Sequence, residues 1–400
     1  MSEKNEVKSD YGLIFKLAIG ITIGIILGLA IPGTSIAGGV MQVIGSVKHF
    51  SGQVIFYVVP LVVLAFIAPA IIRVGANASK MLIVAIALCY ISSVGAAIFA
   101  WIGGSALIDV LHVSKDIGDP GRALPDILFQ FNIAPVMSVM TALVTAIFFG
   151  LAILWAKAKT LEVMWGEFEQ CILFLVSKIV IPLLPFFVAA TFTELAYEGL
   201  LTNQLPVFIA IIVAALLGHY IWMFILYAIA GLISGRSPWQ VIRHYLPAYL
   251  TAIGTMSSAA TLPVSLTCAR KSSVLSRETV DFMVPLGATM HLCGSVLTET
   301  LFVIAISTML YGAPPAFGTM ILFIILFGFF AVGAPGVPGG TVMASLGIVV
   351  SVLGFDANGT ALLIAIFAIQ DSFGTACNVT SDGALALMIE GWFGKKKSAP

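Results

Sequence analysis

The sequence predicts an all-α polytopic membrane protein with eight transmembrane helices and two re-entrant helical hairpins. Three observations carry this. Of its 400 residues, 60% are apolar and 10% charged, with a mean hydropathy of +1.09, whereas a soluble domain carries about 25% charged residues. Long apolar runs recur near 11–31, 52–72, 81–103, 131–156, 171–197 and 205–234, each able to span a hydrocarbon core of about 30 Å. Beyond 235 the texture changes. Two stretches, 240–275 around "TMSSAATLPV" and 316–355 around "GAPGVPGGT", place a Gly/Ser/Pro tip between two apolar arms.

Each element follows in order. Residues 1–10, "MSEKNEVKSD", are polar and of mixed charge. They resemble no cleavable signal peptide and read as a cytoplasmic tail. Residues 11–234 hold the six apolar runs, and 235–390 hold the first hairpin, a full helix at 278–311, the second hairpin and a last helix at 358–390. Residues 391–400 form a second cytoplasmic tail. Irregular backbone at membrane depth is tolerated only inside protein or beside a water-filled cavity, which makes a re-entrant hairpin the natural form of each tip. A pair of short spanning helices, or one kinked helix, is the alternative. Two hairpins, each followed by a helix, suggest the inverted repeat used by many secondary transporters.

Charge orients the chain. With the N-terminus cytoplasmic, Lys4, Lys8, Lys16, Arg73, Lys80, Lys157, Lys159, Arg236, Arg243, Arg270, Lys271, Arg277 and Lys395–Lys397 lie inside, while Lys48, Lys115 and Arg122 fall outside. The positive-inside rule is met only if both hairpins return to the side they entered from. Acidic and basic residues balance at 19 each, which argues against a nucleic-acid partner. Cys89, Cys171, Cys268, Cys293 and Cys377 have no paired spacing and read as small buried residues.

Ionisable groups at membrane depth are expensive and mark function. In "QDSFGTACNVTSD" (370–382), Thr375, Asn378 and Asp382 fall about 40°, −20° and 20° from Asp371 on a helix, one stripe roughly 16 Å long. Asp382 and the Asn378 amide oxygen, with nearby unwound carbonyls, suit Na⁺. Asp371 suits an ammonium group. Asn378 and Thr375 as plain helix–helix contacts are the competing reading. The preceding helix carries His291, Ser295, Thr298 and Glu299 at helical spacing, with Gly287 and Gly294 weakening it. Glu299 has no cation nearby in the sequence, so it is a candidate proton carrier; His291 is equally a relay or a helix contact. Glu194 and Glu198, after the fifth run, read as a solvated external helix end, and Glu278 and Asp281 as its internal counterpart. The tips offer backbone N–H groups for a substrate carboxylate or carbonyls for a cation.

With these residues in view, the chain resembles the dicarboxylate/amino acid:cation symporters, which include the glutamate transporters. "SSAATLP" is similar to their first-hairpin tip, "PLGAT…GS" to their unwound seventh helix, "GVPGG" to their second tip and "D…T..NV..D" to their eighth helix. The second and fifth helices match in "VVPLVVLAFIAPAI" and "IPLLPFFVAATFTELA". The resemblance implies a homotrimer in the bacterial inner membrane, with part of 11–234 as a fixed scaffold. The rest would move as an elevator-type transport domain. By resemblance, Asp371 holds the substrate amino group, Thr375 and Asn378 its polar groups, and Ser257, Ser258, Val337, Pro338 and Gly339 close over it. Asp382 is the Na⁺ ligand, with Gly287, His291 and Asn378 beside it and Ser92, Ser93 and Ser295 as weaker candidates.

The departures refine this. Acidic-substrate members carry arginine where this chain has Gly374, and some carry another where it has Met256. A side-chain carboxylate would then be buried without a partner, at a cost of several kcal/mol, so a small neutral amino acid is the expected substrate. Cys293 replaces a sodium-binding carboxylate, and Glu299 stands where proton-coupled members place their acidic carrier. The expected coupling ions are therefore Na⁺ and, in addition or in its place, H⁺. A transporter of a dicarboxylate or other small organic solute is the first alternative, and an anion-conducting channel on the same fold a distant one. An intramembrane aspartyl enzyme is disfavoured, because about 16 Å of helix separates the two carboxylates.

Overall fold

In the computed structural model, residues 3–76, 80–110 and 122–394 are described. The side chains of Lys4, Lys8 and Arg73 and the whole of Lys115 and Lys395–Lys397 lie outside that set. The chain folds as α1 (Glu3–Ala30), α2 (Ala37–Ala76), α3 (Lys80–Val110), α4 (Val139–Ala156), α5 (Lys159–Leu175), a π turn (Val176–Val180), α6 (Ile181–Tyr197) and α7 (Leu200–Ser234). There follow α8 (Trp239–Ile242), α9 (Leu246–Thr255), α10 (Ser258–Arg270), α11 (Arg277–Met290), α12 (Cys293–Tyr311), α13 (Phe317–Gly333), α14 (Gly340–Ser351) and α15 (Ala357–Phe393). No strand occurs among the described residues. Six stretches among them are long and apolar enough to cross a membrane, and the apolar parts of α1 (Phe15–Ala30) and α4 (Thr141–Ala156) are shorter.

Local chemistry sets the boundaries. Ser138, Ser257, Ser276 and Asp356 cap α4, α10, α11 and α15 by accepting backbone N–H bonds. The π turn precedes Pro182, whose ring cannot sit against the carbonyl four residues back; Ile181 N donates instead to Val176 O. On α1, Gly20, Gly24 and Gly28 form a small-residue seam against α6. A Cβ on Gly20 would lie 2.9 Å from Pro185 O, and Cβ atoms on the other two would meet Ala189 O and Thr193 O. Such seams let membrane helices pack by close backbone approach.

The helices pack as two sets. One joins α1, α2, α4, α5 and α6; the other joins α3, α7 and α9–α15. They meet where α13 and α14 lie on α2, where α15 lies on α6, and where α1 reaches α9 and α15. α12 and α15 form the axis of the second set, with every residue of α12 from Cys293 to Met309 buried. Large apolar side chains such as Ile102, Phe148 and Phe224 cover the outside, as a lipid-facing surface requires.

Three sequence expectations change here. α2 begins at Ala37, well before the apolar run at 52, so Lys48 lies inside a helix and is buried. Its ammonium pairs with Glu194 on α6 and with Asn358 at the start of α15. Glu194 is thus not a solvated helix end, because a cation from another helix meets it. Cys171 is exposed, because its face of α5 has no helix packed on it.

Candidate functional site

The two hairpins meet at their tips. Met256 takes a left-handed conformation (φ 50°) that turns the chain between α9 and α10. Ser257 Oγ then donates to Gly336 O at 2.7 Å, and Ala259 N reaches the same carbonyl at 3.3 Å. In the second tip, Val337 N donates to Pro335 O and Gly340 N to Val337 O, while Gly339 (φ 70°) opens α14. Gly336 must lack a side chain, since a Cβ would lie 2.7 Å from Ala288 O.

α15 supplies the stripe, and each of its four residues meets a different neighbour. Asp371 Oδ2 accepts from Gly339 N at 2.7 Å, and Thr375 Oγ1 reaches Asp371 Oδ1 at 3.5 Å. Asn378 Oδ1 accepts from Gly294 N (2.7 Å) and Ser295 N (3.3 Å), while its Nδ2 donates to Ser295 Oγ (3.0 Å). It therefore caps α12 across the break at His291 and Leu292. Asp382 Oδ1 lies 2.9 Å from His291 Nδ1, and His291 Nε2 lies 2.8 Å from Ser92 Oγ on α3. All of these residues are buried except Gly339, which is half-buried. Gly287 packs directly on the Asp382 carboxylate, where a Cβ would overlap it. Gly374 faces α12 instead: a Cβ there would lie 3.3 Å from Ser295 N.

Beside Asp371 lies a small cavity lined by Leu17, Ile181, Met256, Pro338, Val342 and Phe367, among others. It joins the hairpin tips to α1 and α6, and Asp371 is its only charged lining residue among those described. A second cavity, lined by Phe282, Pro285, Thr289, Ala334 and Gly336, rises between α3, α11 and α13 to the tips.

The sequence-predicted residues thus divide. Ser257, Ser258, Val337, Pro338, Gly339, Asp371 and Thr375 gather around the tips. Gly287, His291, Ser92 and Asp382 gather about two turns beyond Thr375. Ser295 and Asn378 bond to each other between the two, and Gly374 packs on that pair. Ser93 is buried with its hydroxyl unpartnered among the described residues. Glu299 is apart, buried on α12, with Ser345 of α14 donating to Oε1 and Oε2 lacking a partner among the described residues.

Sequence reasoning missed three contributors. His219 on α7 contacts Gly294 O (3.1 Å) and Thr298 Oγ1 (2.8 Å), supporting the helix break from behind. A lone histidine in an apolar helix was the available signal. Ser345 had none beyond its hydroxyl. Glu390 anchors the far end of α15 to Arg236 (2.9 Å), Ser276 and Thr279. Just past α6, burial and the neighbouring Glu194 carboxylate push the Glu198 carboxyl above its ordinary range, against the pull of Lys48.

Comparison with known proteins accords with this geometry. The family model of the sodium:dicarboxylate symporter family matches residues 13–392. Excitatory amino acid transporter 1 of Homo sapiens and of Bos taurus is 29% identical over 205 residues, covering 51% of this chain and 37% of each relative. The Mus musculus protein of the same name matches equally over the same extent. The chain thus spans under two-fifths of the length of these curated relatives.

The family description implies sodium. Between Ser92 and Asp382 the residues do not fit it. A cation there needs lone pairs, and the ring of His291 fills the space, bonded to both neighbours.

Proposed function

Because the chain belongs to the sodium:dicarboxylate symporter family, it is a multi-pass membrane transporter, and we propose that it carries a small neutral amino acid by cation-coupled symport. The observation that carries this is the cavity at Asp371, where one carboxylate faces apolar walls and no guanidinium or ammonium among the described residues lines it. A substrate ammonium complements that carboxylate. A second carboxylate on the substrate would be buried without a partner. Met256 and Gly374 stand where acidic-substrate relatives of the resemblance carry arginine, and Met256 lines the cavity.

Na⁺, bound elsewhere than between Ser92 and Asp382, is the expected coupling ion, with H⁺ carried on Glu299 in addition or in its place. Glu299 is buried, bonded through one oxygen only, and faces the arm of the second hairpin, so its proton state and the hairpin's position are linked. The separate packing of the two helix sets supports an elevator motion of the second set against the first. The assembly proposed is a homotrimer in the cell membrane, with both termini cytoplasmic, as the positive charges favour.

Uptake into proteoliposomes of a labelled amino-acid panel, with Na⁺ and pH gradients imposed separately, tests the reading. Saturable uptake of serine, alanine or threonine is expected. Preference for aspartate over all three overturns the neutral-substrate assignment. The family's description, which names dicarboxylates, keeps that outcome as the alternative.

A further inference from the structure

We propose that the side chain of His291 takes the place of a sodium ion between Ser92 and Asp382, so that this locus is closed to Na⁺ by the protein's own ring. The inference deepens the transport reading and rests on it for the word coupling, but the geometry stands by itself.

The ring bridges two helices and the break between two others. Nδ1 lies 2.9 Å from Asp382 Oδ1 on α15, and Nε2 lies 2.8 Å from Ser92 Oγ on α3. Its backbone N–H donates to Gly287 O at 2.9 Å, so a carbonyl expected for the cation also caps α11. Asn378 Oδ1 accepts from two N–H groups of α12. His291 is 0% exposed and Asp382 1%, with Gly287 packed against the same carboxylate. A sodium ion needs several oxygen lone pairs converging on one point. Here the point is occupied by a group that offers an N–H to the carboxylate instead.

Neighbouring side chains agree. Cys89, buried on α3, and Cys293, buried at the start of α12, supply sulfur and no carboxylate. Soft sulfur is a poor partner for a hard monovalent cation. Ser93 Oγ, next in sequence to Ser92, is buried and unpartnered among the described residues. The ring therefore does structurally what a bound cation does, joining α3 to α15 across the break, without exchange with solution.

The test is a Na⁺ titration of the purified full chain without substrate, NaCl against choline chloride at constant ionic strength, read as apparent Tm. His291→Ala vacates the space and frees both the Asp382 carboxylate and the Ser92 hydroxyl. It should acquire a saturable Na⁺-dependent rise beyond that of the unmodified protein, about 3–6 °C at a hundredfold excess over Kd. Adding Ser92→Ala should remove that gain. A Na⁺ response in His291→Ala equal to or below that of the unmodified protein overturns the proposal. If His291→Ala cannot be purified, His291→Asn is read by the same two outcomes. Because no substrate is present, failure of amino-acid uptake leaves the titration interpretable.

Discussion

Asp371 Oδ2 accepts a 2.7 Å hydrogen bond from the backbone N–H of Gly339, tying the last helix to the tip of the second hairpin. The same carboxylate is the one charged group lining the tip cavity among the described residues. On the proposed reading, a substrate ammonium and the tip compete for, or share, that anion, so hairpin closure and substrate binding would meet at one side chain.

Asp371→Asn keeps the shape and removes the charge. A charge-assisted bond contributes about 1.5–3 kcal/mol, so apparent substrate affinity should fall roughly 10- to 100-fold. Substrate-dependent thermal stabilisation measures it, and an unchanged Kd would remove the ammonium from this site.

Gly374→Arg introduces the missing guanidinium. The first side-chain carbon would lie 3.3 Å from Ser295 N and Cα, so α12 must give by a few tenths of an ångström. Neutral uptake should fall at least tenfold (about 1.4 kcal/mol in the transport barrier or affinity) while competition by aspartate appears. Competition uptake in proteoliposomes reads both.

Glu299→Gln retains one acceptor for Ser345 and cannot release a proton. Uptake driven by an imposed pH gradient should be lost while substrate exchange at equal pH persists. Retention of pH-driven uptake would assign proton coupling elsewhere.

Lys48→Ala leaves Glu194 in a buried position without its cation. Loss of one partner of a buried pair costs about 3–5 kcal/mol. Replacing Lys48 by Met and Glu194 by Leu together should cost markedly less. Apparent Tm values of the two variants and the unmodified protein in detergent decide it, and equal losses would show that the pair's charges are not coupled.

Much of the fold was legible in the sequence because membrane burial imposes strong rules. Apolar runs reveal helices, and a Gly/Ser/Pro tip between apolar arms reveals a hairpin. The tips, the α11–α12 break and the stripe on α15 stand at the expected positions. The boundaries were less legible. α2 starts early because helix continues past the apolar run, and Lys48 is tolerated there only because Glu194 and Asn358 come to meet it. No local pattern announces a partner 146 residues away.

The site shows the same division. Sequence alone singled out the residues to ask about, since a charge or amide deep in an apolar helix needs a reason. Helical spacing determined that Asp371, Thr375, Asn378 and Asp382 share one stripe. Only the tertiary structure decided what each of them meets: Gly339 for Asp371, the start of α12 for Asn378, and His291 for Asp382. The physical reason is that spacing orders side chains along one helix, whereas a partner is chosen by how separate helices pack. For His291, that packing set the ring between Ser92 and Asp382, a placement its spacing along one helix does not give.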